Sequence, residues 1–326
     1  MTEIEIPDPT SPESAEDAPA QKISPYRSLF VPLVVVPAMI VMVLVLVYAL
    51  FGALAGSEDT PSQNLDRLLN GGFNERQQAA FNLVRQVLEE RRADGQGRES
   101  DWDIDASFLP KLRSARAALG ELEEPSDVPI PLVLSSLLAQ LGDSEGVGQL
   151  CALTALSEKL DPQGQYRVYA AWTLGAIGKE LSGPDRDRAG ETLIALFDHP
   201  DPALVLVATA GLQNLPSEEA TAALTGMLGS RSLEQRGTAA LSLASLGDPA
   251  GQGVLTELLA LESYAGEREG APLKWPPKQV SESRSKALEA LRRLDLAPDR
   301  VVLEGWAEDD PDPNIRAAAR KLLSEI

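Results

Sequence analysis

The sequence predicts an all-α protein: a single N-terminal transmembrane helix followed by an α-solenoid of about seven helical hairpins. Three observations carry this expectation. Residues 29–55, LFVPLVVVPAMIVMVLVLVYALFGALA, run for 27 residues without a charged side chain. At about 1.5 Å per residue such a helix reaches ~40 Å, more than the ~30 Å core of a bilayer. Downstream, one frame of small and apolar residues recurs with helical periodicity at intervals suited to two-helix units. Finally, only 5% of residues are aromatic while 44% are hydrophobic, a balance that favours close-packed helices over sandwiches or barrels.

The chain divides into four segments. Residues 1–27 form an acidic tail whose first 24 positions hold six acidic residues and four prolines, a composition expected to be disordered. Residues 28–56 are the expected membrane span. Lys22 and Arg27 precede it, and Glu58, Asp59 and Asp66 follow it. Cations near a span stay inside, so the expected topology is a single-pass protein of the cell membrane with a cytoplasmic N-terminus and an extracytoplasmic solenoid. Gly52 and Gly56 have the G-x-x-x-G spacing that lets two membrane helices approach, a route to a homodimer; the alternative is a flexible joint. Ala53, Leu54 and Ala55 before Gly56 also match the small-residue pattern of a signal-peptidase site, although the apolar run exceeds the ~7–15 residues of a signal sequence. Residues 57–63 read as a linker, and 64–326 as the solenoid.

Within the solenoid the frame is explicit. Counted from Arg236, small or apolar residues fall at Ala239, Ala240, Leu243 and Leu246, one stripe of a 3.6-residue helix. From Arg167 the same offsets give Ala170, Ala171, Leu174 and Ile177, and from Arg284 they give Ala287, Leu288, Leu291 and Leu294. Partial copies start at Arg76, Val205 and Arg316. Partner helices are bounded by Ser217, by Asp-Pro at 248–249 and 312–313, and by Ser232 with capping-box spacing to Gln235. Gly142, Gly229 and Gly247 are the expected C-terminal stops. The hairpins expected are 64–92, 107–141, 145–180, 185–213, 217–246, 249–294 and 297–326.

Residues 309–323 (DDPDPNIRAAARKLL), 235–249 (QRGTAALSLASLGDP) and 166–178 (YRVYAAWTLGAIG) resemble the HEAT-repeat family, in particular its short bacterial phycocyanobilin-lyase-type HEAT-like repeats. The resemblance spans 64–326 with gaps. It implies a solenoid whose second helices line a concave face used for protein contacts. It also implies a structural ladder between neighbouring repeats, formed by an Asp in the turn and an Arg six residues later. Asp161 with Arg167 and Asp310 with Arg316 have that spacing, whereas Asn70 stands where the first unit would have Asp.

Chemistry is sparse. The net charge of −20 opposes nucleic-acid binding, since affinity for phosphate backbones comes largely from cations releasing counterions. One cysteine, Cys151, excludes an intrachain disulfide, and its apolar setting reads as packing. The sole histidine, His199, falls in a turn without metal-ligand spacing around it. No catalytic, cofactor or metal motif is found. Two interruptions stand out: 91–105, polar apart from Trp102 and expected to be flexible, and 262–282, which carries Tyr264, Trp275, Pro276 and Pro277, either a contact for a protein partner or packing over a groove. The expected function is a membrane-anchored scaffold or assembly factor for unidentified protein partners. The alternative is an enzyme or chaperone-like ligand binder using the concave groove.

Overall fold

The computed structural model describes residues 59–326, except 101, 103, 105, 106, 266–274, 297 and 326. The expected tail and membrane span, with Gly52 and Gly56, lie outside the described residues. Among those described, no helix is long and apolar enough to cross a membrane.

Residues 60–326 form one unit built from fourteen α-helices without strands among the described residues. They are α1 (Pro61–Asn70), α2 (Phe73–Gly95), α3 (Phe108–Ala117), α4 (Pro129–Gln140), α5 (Ser144–Leu153), α6 (Gln165–Ile177) and α7 (Gly183–Ala195). There follow α8 (Pro202–Gly211), α9 (Glu218–Met227), α10 (Leu233–Ser245), α11 (Gln252–Leu259), α12 (Pro277–Arg293), α13 (Arg300–Asp309) and α14 (Pro313–Glu325). Consecutive helices pair as seven hairpins, and each second helix packs on the next second helix, from α2 through α4, α6, α8, α10 and α12 to α14. This is the stacked array the repeating frame predicts.

Local chemistry explains the boundaries. Thr60 Oγ1 accepts from the Gln63 amide at 3.3 Å while Gln63 Oε1 accepts from the Thr60 amide at 2.9 Å, a reciprocal cap with Pro61 in the first turn. Helix α1 therefore starts inside the expected linker 57–63. At α10 only half of the expected box forms: Ser232 Oγ accepts from the Gln235 amide, but Gln235 Oε1 accepts from the Ser230 hydroxyl instead of closing the box. Gly142 and Gly247 take φ of 80° and 81°, and the residue after each donates back to Leu138 and Leu243, which closes the helix ends. Gly229 is not left-handed, so the third expected stop ends its helix without that device.

The predicted stripes form the core. Ala170, Ala171, Leu174, Ala239, Ala240, Leu243, Ala287, Leu288 and Leu291 are buried. In α14 the deeply buried residue of the last turn is Leu322, with Leu323 only partly covered. Small residues let the second helices come close. A Cβ added to Gly175 would lie 2.5 Å from the Gly211 Cα, so α6 and α8 touch backbone to backbone there, and Asn214 Nδ2 donates to the Gly175 carbonyl at 2.8 Å.

Two glycines should respond oppositely to substitution. Gly211→Val forces α6 and α8 apart and is expected to destabilise by about 1–3 kcal/mol or more. Gly305→Ala, at an exposed mid-helix site of α13 with open space around it, is expected to stabilise by about 0.5–1 kcal/mol. Urea unfolding of the two variants reads both signs; equal midpoints would refute the close approach.

Candidate interaction surface

The second helices expose side chains on the face away from the first-helix row. Helix α2 places Ala79, Leu83 and Val87 in the core and presents a second apolar stripe outward, with Phe81 69% and Leu88 38% exposed. Helix α6 buries Ala170, Ala171 and Leu174 and turns Tyr169, Trp172 and Ala176 outward at i, i+3 and i+7. Trp172 is 57% exposed, and its ring lies 5.8 Å from that of Tyr169. Between α2 and α6, helix α4 is recessed: eight of its twelve residues are buried. The result is a groove of about 310 Å³ bounded by Val84, Leu88, Arg92, Gln140, Tyr169 and Trp172. Gln140 Oε1 is buried there without a hydrogen-bond partner. Burial raises the titration of the Tyr169 hydroxyl, against hydrogen bonds that oppose it. A second groove of about 610 Å³, lined largely by hydroxyls and charges, follows between α8, α10 and α12.

The residues expected to form the ladder are in place, with one exchange of partners. Asp161 is fully buried, and its Oδ2 accepts from the Tyr166 and Arg167 amides at 3.1 and 2.9 Å and from Arg167 Nε at 3.3 Å. Arg167 also donates to the Asp161 carbonyl at 3.2 Å and reaches His199 of the next hairpin at 3.4 Å. The Asp310 carboxylate is instead gripped by Arg284 of the preceding hairpin, Nη1 and Nη2 donating at 2.9 and 2.5 Å. Arg316 donates to the Asp310 carbonyl, so these two ladder residues meet through the backbone while the ion pair across the repeat boundary runs from Asp310 to Arg284. The geometric reason is that the i+6 spacing brings Arg316 to the backbone of its own turn, while the carboxylate points across the repeat boundary. The same bridging recurs where no spacing signalled it, between Arg236 and Glu257 and between Arg113 and Asp143.

The candidate contact residues in 262–282 separate. Tyr264 is buried, its hydroxyl donating to the Leu258 carbonyl at 2.8 Å and lying 3.1 Å from Ser283 Oγ. It is thus a core residue, not a surface contact. Trp275 is half-buried and meets the Tyr264 ring edge-on at 5.1 Å. Pro276 and Pro277 are exposed and open α12, where a missing N–H costs nothing.

Other reactive groups are engaged structurally. Burial pushes the Cys151 thiol up, away from the thiolate, despite the opposing effects of the neighbouring Thr192 and Arg188. His199 Nδ1 accepts from the Asp201 amide at 3.0 Å in its turn. Asp312 caps α14 through the Asn314 amide at 2.8 Å.

The ladder has measurable consequences. Arg284→Ala leaves a buried carboxylate unpaired and is expected to cost about 3–5 kcal/mol. Arg236→Ala, at a more exposed pair, should cost about 1 kcal/mol or less; denaturant titrations showing equal losses would contradict this ranking. Burial raises the Asp310 carboxyl, but hydrogen bonds from Arg284 and the Asp312 amide outweigh it and hold the group below the usual carboxylate range. A depressed folded-state value means this stabilisation is present above the unfolded value and lost as pH falls through the folded one. Stability should therefore drop below about pH 4, and Asp310→Asn should flatten that limb of the pH–stability curve.

Residues 190–271 match the family model for HEAT repeats, and residues 166–199 match that for the PBS lyase HEAT-like repeat. A search of curated proteins returns no match. The two matches, lying on hairpins of an all-helical array, support a HEAT-repeat family for this chain.

Proposed function

We propose that the chain is a scaffold or assembly factor that holds a protein-binding array beside a membrane. HEAT repeats generally mediate protein–protein interaction, and here the observation that carries the reading is the exposed apolar stripe of α2 and α6. Leu88 and Trp172 line a groove on the second-helix face and Phe81 is exposed on α2, although the same helices bury other stripes fully. A patch of large apolar side chains on a solvent face marks a binding surface, and Trp is the residue most often found at its energetic centre. The run 29–55 supplies the anchor in this reading, with Lys22 and Arg27 on the cytoplasmic side and the array outside. The chain's own residues then bind and position a partner, with no bond-making step assigned to them.

Photo-crosslinking from position 172 in native membranes tests the proposal. Discrete protein adducts that disappear when the crosslinker is moved to the outer face of α13 are the expected result. Absence of protein adducts, with a small molecule copurifying instead, would favour a ligand binder. Protease treatment of intact cells should degrade the array; protection until permeabilisation would reverse the topology.

A further inference from the structure

Charge is segregated between the two layers of the array. The seven second helices together carry 14 Lys and Arg against 8 Asp and Glu, whereas the seven first helices carry 7 against 11. Five of those cations, Arg76, Arg167, Arg236, Arg284 and Arg316, are held at turns and repeat boundaries, which leaves 9 against 8 on the remainder of the second helices; in a chain of net charge −20 that row is close to neutral. Part of that charge is neutralised locally: Arg91 pairs with Glu180 at 2.6 Å, and Arg292 with Glu289 at 2.7 Å. Arg92, Lys286 and Arg293 are exposed and form no ion pair among the described residues.

The positions of these three cations matter. Arg92 borders the apolar groove of α2, α4 and α6, beside Leu88 and Trp172. Lys286 and Arg293, one helical face of α12, border the second groove. Both grooves lie along the same row of second helices. A ligand crossing them meets first an aromatic and aliphatic floor with an unsatisfied amide oxygen, Gln140 Oε1, and then Lys286 and Arg293, with Glu289 on the same groove wall. An apolar anchor, a donor group and carboxylates answer these features together.

We infer that the second-helix face binds an acidic segment of a partner protein, its apolar side chains seated against Leu88, Tyr169 and Trp172 and its carboxylates facing Arg92, Lys286 and Arg293. The inference rests on the scaffold reading and specifies the chemistry of the partner. Oppositely charged faces steer encounter and suppress wrong partners, while the buried aromatic anchor supplies most of the affinity. A nucleic acid would also seek cations, but the net charge of the chain opposes a polyanion.

The test uses the full chain in nanodiscs and phage-displayed random peptides, with empty nanodiscs as counter-selection. Enriched peptides should combine an apolar cluster with net negative charge. Their affinity should fall about tenfold or more in Trp172→Ala and in Arg92→Glu, and should weaken with added salt. Both substituted side chains are exposed, and thermal melts verify that each variant folds. Enrichment of basic or uncharged peptides, affinity unchanged in both variants, or no enrichment at all would overturn the inference, as would displacement of the peptides by a single-stranded oligonucleotide at equal strength. If crosslinking from position 172 still yields protein adducts in those cases, the scaffold reading survives and only the acidic partner is lost; absence of adducts removes the scaffold reading itself.

Discussion

The structure depends on a stripe of small side chains that no hairpin can bury by itself. Ala170, Ala171, Ala239, Ala240 and Ala287 are buried because the neighbouring second helix covers them. Alanine and glycine contribute little area each, so the gain comes from close approach, which multiplies dispersion contacts along the row. The backbone contact of Gly175 with Gly211 is the limiting case. Once the helices lie this near, larger residues of the same stripe, such as Leu174 and Leu243, are fully buried between them.

Close packing leaves the polar ends of the hairpins to be satisfied at the repeat boundaries. Asp310 and Arg284 do this by bridging two hairpins with two hydrogen bonds in a buried contact. Such a buried pair adds little net energy over an apolar replacement, yet it penalises any shift that separates the charges. Arg236 with Glu257 repeats the arrangement nearer solvent, where mutual hydrogen bonding lowers the Glu257 carboxyl and raises the guanidinium. The ladder thus sets register between hairpins, while the stripes supply cohesion.

With cohesion and register met inside the array, the outward positions of the second helices are free to carry function. Helix α2 shows this most clearly: Leu83 and Val87 hold it to its neighbours, and Phe81 and Leu88 on the opposite side reach solvent. The recessed α4 then converts two exposed stripes into a groove, with Arg92 at its edge. A rigid row of helices presents these groups in fixed relation, the condition under which a shallow surface can discriminate among partners.

Hairpin number and helix type were legible in the sequence because periodicity, caps and glycine stops act within a few residues along the chain. Arg236 to Leu246 reads as one helical face whatever lies beside it, and Asp-Pro at 312–313 opens a helix through local backbone chemistry alone. The failures are equally physical. Tyr264 sits in a long interruption with no period to mark its burial, and only the short 3-10 turn at Leu261–Tyr264 carries it back beneath Trp275. Asp310 finds its partner 26 residues upstream, because the distance that matters runs across a helix boundary and not along the chain. The sequence by itself determined the helices and their pairing into hairpins, through interactions of short range. The tertiary structure decided which charges pair, which aromatic side chains reach solvent and where a groove opens, because these depend on separations between elements that sequence spacing does not encode.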